Sequence, residues 1–197
     1  GLLRLERSPS PQRLHQQNQA RHQRIAALAG QPFTLIHLSD EEGLDADDLY
    51  AQLPATCHIW RNFSYPRLIV DHRVRSFPIG PRDLFLVKDE FMAGIRASNR
   101  PLPWTFMGTL WPSGSRTLAV SHFLRSLPQG FFYGGKSFGT GLPLEQYRQR
   151  LMQSVFALAP EGDRHLDTFR LWESLCCGCI PLVVDHAASA EALLGSG

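Results

Sequence analysis

The apolar positions come in short runs punctuated by Gly, Pro and charged residues, and the pattern changes twice along the chain. Residues 1–31 are polar and rich in Gln and Arg, with Gln12, Gln16, Gln17, Gln19 and Gln23 in one stretch. Leu14 to Ala29 predicts a helix that ends at Gly30, with Pro32 beyond as a stop. From Pro32 the runs shorten. Phe33 to Leu38 reads as a buried strand. Thr56–Trp60, Arg67–Val70 and Val74–Ile79 read as further strands, the last ending at Gly80-Pro81. A stretch with Pro81, Gly94 and Pro101 then reads as a linker over residues 81–102. After it, strands are expected at Trp104–Gly108, Gly130–Tyr133, Val155–Ala159 and Ile180–Val184. Helices are expected at Ser115–Leu124, capped by Ser113 or Ser115, at Leu144–Ser154, at Asp167–Cys177 with Gly178 as its stop, and at Ala187–Leu194. Thr109–Gly114 and Gly134–Gly141 read as loops.

Strands alternating with helices predict an α/β fold with parallel sheets and right-handed crossovers. Two such units follow the polar N-terminal helix: residues 32–80, and residues 103–197. A doubly wound domain commonly has around six strands, and each unit holds fewer. The chain is therefore expected to lack the start of the first unit and the end of the second.

Composition narrows the function classes. Hydrophobic residues make up 43% and charged residues 19% of 197 residues, which excludes global disorder, collagen and a coiled coil. No apolar run reaches the roughly 18–20 residues of a membrane span. The formal charge is +2, and no aromatic residues interleave with the N-terminal arginines, so no nucleic-acid surface is expected. The cysteines Cys57, Cys176, Cys177 and Cys179 show no second Cys/His pair at zinc-site spacing and read as buried thiols. No metal site is expected.

The candidate chemistry lies between Phe156 and Val184. A parallel strand ends at Pro160, and a polar loop follows where open α/β sheets bind ligands. Asp167 is placed to cap the next helix, whose first amides attract a phosphate or hydroxyl. Phe169, Trp172, Leu175 and Cys176 form its apolar face. Arg170 and Glu173 share another face near its start. Arg is a bidentate partner for a diphosphate, and Glu accepts hydrogen bonds from both ribose hydroxyls. The plainer possibility is that the two pair with each other at i,i+3.

This stretch resembles the nucleotide-sugar signature of the exostosin-type glycosyltransferases. The matching residues are Ala159-Pro160-Glu161-Gly162, Asp167-Thr168-Phe169-Arg170, Trp172-Glu173-Ser174-Leu175 and Gly178-Cys179-Ile180-Pro181. Tyr147-Arg148, Leu151, Ser154 and Phe156 resemble the family's approach to that strand, and Trp104–Gly108 with Arg116 resembles its Phe-x-Gly…Arg loop. The resemblance covers residues 100–190 well, 32–80 loosely, and 1–30 not at all. It implies a GT-B fold of two Rossmann-like domains, the second holding a UDP-activated sugar, and inverting transfer to a glycan or other hydroxyl acceptor without a cofactor or catalytic metal. On that resemblance Arg170 neutralises the diphosphate and Glu173 holds the ribose. Thr168, Asp167 and Gly162 line the donor site, Gly108 allows close approach, and Arg116 lies near the phosphates.

The pair of Glu residues eight apart that many GT-B enzymes carry is absent, because His165 stands eight before Glu173. Glu161 is then expected to be a solvent-facing loop residue. Inversion needs a general base on the acceptor side. His37, Asp40 and Glu41, at the carboxyl end of a first-unit strand, are the candidates. Their plainer reading is a solvated acidic loop that caps a helix near Ala46. Arg61 is expected to be structural. Two other functions stay open: a binding module for nucleotide or carbohydrate that has lost the base, and a P-loop phosphotransferase. Gly130, Gly135, Lys136 and Ser137 match P-loop spacing, but Phe131-Phe132-Tyr133 reads as strand and Gly139, Gly141 and Pro143 forbid the helix that must follow.

Overall fold

Two parallel sheets carry the chain, which divides between Phe77 and Pro78 into two units. The structure, a computed structural model, describes residues 11–28, 30–38, 40–44, 46–63, 65–86, 96–110, 115–135, 137, 140–162, 165–184 and 193. No described helix is long and apolar enough to cross a membrane.

The first unit runs α1 (Pro11–Ala27), β1 (Thr34–His37), α2 (Ala46–Ala51), β2 (His58–Arg61), α3 (Pro66–Ile69) and β3 (Val74–Ser76). Its sheet has the sequential order β1-β2-β3. Leu35 lies beside Ile59, and Ile59 beside Val74. Leu49, Tyr50 and Leu53 from the α2 region and Leu68 from α3 close a core over that face. The opposite face carries Ile36 and Trp60 side by side, 63% and 44% exposed. The strand expected to be buried is thus a half-buried edge strand, covered on one face.

Arg67–Val70, expected as a strand, is instead the single helical turn α3. Tyr65 is extended in front of it and Pro66 occupies its first turn, where the fixed φ and missing N–H of proline suit a helix start. Beyond α3, Arg73 donates to the carbonyls of Tyr50, Leu53 and Pro54 at 3.1, 2.9 and 3.2 Å. It thereby ties together carbonyls in and just beyond the last turn of α2. Asp71 pairs with Arg73 at 2.6 Å.

The second unit runs from a strap at residues 78–86 through a 3-10 turn (Ala97–Asn99) to β4 (Leu102–Thr109), α4 (Ser115–Ser126), β5 (Phe131–Gly135), α5 (Leu144–Met152), β6 (Ser154–Leu158), α6 (Phe169–Cys176) and β7 (Ile180–Leu182). All four strands are parallel, in the order β5-β4-β6-β7. Strand alternation sends side chains to two cores. Trp104 and Phe106 of β4 join Phe156 and Leu158 of β6 and Val120 and Phe123 of α4. Met107, Ala157, Phe131 and Tyr133 join Tyr147 and Leu151 of α5 on the other face. A parallel sheet wound with helices on both faces results, the Rossmann-like arrangement.

The segment expected to be a linker over 81–102 does not begin as one. Phe85 is buried in the α5 core, its ring 6.1 Å from that of Tyr147. Its carbonyl accepts from Arg148 at 3.0 Å. Residues 87–95 of that expected linker lie outside the described residues, as do the helix expected at 187–194, apart from Leu193, and most of the Thr109–Gly114 loop.

α6 stops as expected at Gly178. The amides of Gly178 and Cys179 bond back to the carbonyls of Leu175 and Ser174, both at 2.9 Å, in a Schellman closure. Gly178 has φ +66°, a left-handed conformation that only glycine adopts cheaply. The P-loop spacing fails on structure, because Phe131–Gly135 is strand β5, paired to β4 through Gly134 and Gly135. Lys136 lies outside the described residues.

Candidate functional site

The strand order of the second unit decides where a ligand fits. The chain passes from β4 out to β5, then returns past β4 to β6 and on to β7. β4 and β6 therefore flank the switch point, at whose carboxyl ends open α/β sheets hold ligands in a crevice.

Arg116, in the first turn of α4, spans that crevice. Its Nε donates to the Glu161 carbonyl at 2.9 Å and its Nη1 to the Thr109 carbonyl at 3.1 Å. Ser115 donates to the Glu161 carboxylate at 3.3 Å. Glu161 is thus half-buried and tied to α4, not the solvent-facing residue expected. Gly162 turns the same loop, its amide bonded to the His165 carbonyl at 2.6 Å. Asp163 and Arg164 lie outside the described residues.

Arg170 enters from the first turn of α6. Its Nε donates to the Met107 carbonyl at 3.3 Å, and its guanidinium lies 4.7 Å over the Phe106 ring. Its Nη1 is shut off from solvent and has no hydrogen-bond partner. Burial pushes its pKa down, against the opposing charges of Tyr147 and Glu173. Gly108 makes the placement possible, since a Cβ there would overlap the guanidinium. A buried cation with an unused N–H at the ends of parallel strands attracts an anion.

The α6 helix is turned differently from its expected orientation. Leu171, Glu173 and Ser174 face inward, while Phe169 and Leu175 are exposed. Thr168, not Asp167, is the N-cap, accepting from the Leu171 amide at 3.4 Å. Asp167 is occupied otherwise. It accepts from Trp172 Nε1 at 2.6 Å and from the Ile79 amide at 3.1 Å. Burial raises its pKa, and those two hydrogen bonds oppose the rise. Glu173 does not pair with Arg170. It pairs with Arg82 of the strap at 3.0 Å, and the Tyr147 hydroxyl bonds to it. Burial, followed by the Glu173 charge, pushes Tyr147 well above the usual tyrosine range. Arg82 gave no signal in the sequence, because it lies far from α6 in the chain.

In the first unit, His37, Tyr50, Arg61 and Asp40 form one network. Arg61 is 0% exposed. It donates to the Asn62 and Phe63 carbonyls at 3.0 Å, to the Tyr50 hydroxyl at 3.1 Å, and to the Asp40 carbonyl and carboxylate at 3.1 and 3.3 Å. His37 Nδ1 lies 2.9 Å from the Tyr50 hydroxyl, whose pKa burial raises. Asp40 is thus a buried ion-pair partner. The Glu41 carbonyl accepts from the Tyr65 hydroxyl.

The four thiols are free. Burial raises the pKa of each, taking Cys179 up to about 11. Among the described residues no cluster of three His, Cys, Asp or Glu side chains is placed to hold a metal ion. No protein-family model matches the chain, and no curated protein matches it in sequence.

Proposed function

We propose that the second unit binds a nucleotide diphosphate sugar at the β4/β6 crevice, and that the chain is an exostosin-like GT-B glycosyltransferase acting with inversion. The carrying observation is the unused, buried Nη1 of Arg170 beneath Gly108. On this reading Arg170 takes the charge of the UDP leaving group, the largest electrostatic service the site can offer. Thr168 and the α6 amides add neutral donors, and Arg116 with Gly162 shapes the crevice wall. The acceptor is a glycan or other hydroxyl compound.

Calorimetric titration with UDP, GDP and ADP, without added metal, tests this. UDP-selective binding that Arg170→Ala abolishes is expected. A folded chain that binds none of the three overturns the reading.

A second reading is a non-catalytic nucleotide- or carbohydrate-binding module. It is favoured by the commitment of Asp40 to Arg61 and of His37 Nδ1 to Tyr50, which occupies two of the three candidate bases. Binding of UDP without turnover of any UDP-sugar, by transfer or hydrolysis, selects it.

A further inference from the structure

The strap places a second cation, Arg82, against Glu173, which stands three residues after Arg170 on α6. Arg82 contacts Glu173 through Nε at 3.0 Å, and its backbone amide approaches the same carboxylate oxygen at 3.4 Å. The Arg82 guanidinium stands 4.8 Å over the Tyr147 ring. The side chain of Glu173 is 3% exposed and that of Arg82 is 41% exposed. No described residue accepts a hydrogen bond from Arg82 Nη1 or Nη2. The carboxylate is therefore consumed on the inside, by Arg82 and Tyr147, while the outer edge of the guanidinium meets water. A ribose diol approaching Glu173 would have to compete with Arg82 at Oε1 and with the Tyr147 hydroxyl.

We propose that Arg82 is a second anion-reading residue of the nucleotide-diphosphate site, and that Glu173 is its positioning residue. This rests on the donor-site reading above. Glu173 and Arg170 sit three apart on α6, so their side chains are neighbours, and the cation that Glu173 holds is brought beside the one that α6 carries. The ion pair at Oε1 and the Tyr147 ring beneath it hold the guanidinium in place and leave the two Nη groups as a fork for a pair of phosphate oxygens. Buried Arg170 then reads one phosphate and Arg82 reads the other.

Calorimetry with UDP, and with uridine measured by displacement of UDP, separates the roles. Arg82→Ala is expected to weaken UDP about ten- to a hundredfold, the scale of a charge-assisted hydrogen bond, and to leave uridine unchanged. Glu173→Gln is expected to do the same by misplacing Arg82. The double variant is expected to be no weaker than Arg82→Ala. Arg82→Lys, a point charge without the fork, is expected to recover part of the loss. If Glu173→Gln weakens uridine as much as UDP, Glu173 is a ribose ligand and the proposal is overturned. If UDP binding needs Arg170 but ignores Arg82, the donor site stands and the proposal falls. If the wild-type chain does not bind UDP, both fall. Should Arg82→Ala fail to fold around a stranded carboxylate, the neutral pair Arg82→Gln/Glu173→Gln gives the same comparison.

Discussion

Each unit places an arginine at the carboxyl ends of its parallel strands, Arg61 fully buried and Arg170 partly, and the two make different contacts. Arg61 spends its donors on three backbone carbonyls, one hydroxyl and one carboxylate. Arg170 has one carbonyl at 3.3 Å, an aromatic face, and an Nη1 with nothing. Position in the sheet is shared, so it does not distinguish the two. The partnerless Nη1 of Arg170 does. Strand order supplies the cause. In the sequential sheet β1-β2-β3 the loops after β1 and β2 lie together and close over Arg61. In the order β5-β4-β6-β7 the chain leaves β4 and β6 toward helices on opposite faces, and Arg170 keeps an unused donor at the end of β4.

Substituting both arginines by methionine sharpens the comparison most. Arg61→Met strands Asp40 and several carbonyls in the first unit. A loss of about 3–5 kcal/mol is expected, as for breaking a buried ion pair from one side. Arg170→Met removes a cation whose burial is poorly compensated, so a change within about 1 kcal/mol of zero, or a gain, is expected. UDP binding should disappear with it. Urea unfolding of the two variants decides. Equal losses would make Arg170 another structural arginine and collapse the contrast.

Gly108 tests the same contrast by shape. A methyl at Gly108 overlaps the Arg170 guanidinium and forces it from Met107 and Phe106. Gly108→Ala is expected to weaken UDP at least tenfold and to cost about 1–3 kcal/mol, the scale of overpacking. In an Arg170→Ala background the part of the cost due to the clash should vanish, leaving the backbone strain at φ +159°. Gly178→Ala is the control. Its strain is at φ +66°, so it should lower stability by about 1 kcal/mol and leave UDP affinity alone. A cost for Gly108→Ala that is undiminished without Arg170 would place the clash elsewhere.

The α/β class and the strands of the second unit were legible because β-rich runs bounded by Gly and Pro leave few alternatives. The buried face of α6 was not. Periodicity assumes that apolar residues turn inward, yet Phe169 and Leu175 are exposed while Glu173 and Ser174 face the sheet. A helix that lines a polar crevice inverts the usual rule, and that inversion is itself a mark of the site. Arg67–Val70, read as a strand from its apolar residues, is a helical turn because Pro66 starts one. The family pattern put Gly108 and Arg170 in one donor site but did not pair them; the close approach of the Arg170 guanidinium to Gly108 came only from the fold. Arg82 with Glu173, and Ile79 with Asp167, are separated by 91 and 88 residues and could come only from the fold.

The smallest expected effect belongs to the first unit and concerns acid. Hydrogen bonds from Arg73 are the main cause holding the Asp71 carboxyl at about 2 instead of 3.8. A carboxylate with a lowered folded pKa adds stability above its unfolded pKa and loses it as pH falls through the folded one. Asp71 should therefore contribute up to about 2 kcal/mol above roughly pH 5, falling away between about pH 5 and pH 2. Its pairing with Arg73 keeps that guanidinium on the carbonyls that end α2. Asp71→Asn should remove this acid limb and lower the neutral-pH stability by the same amount, leaving the two proteins alike near pH 2. Unfolding free energies of both proteins from pH 7 to pH 2 measure it. Parallel curves over that range would mean that the pair holds no charge-dependent share of the first unit, and that Arg61 with Asp40 is the ion pair on which the unit depends.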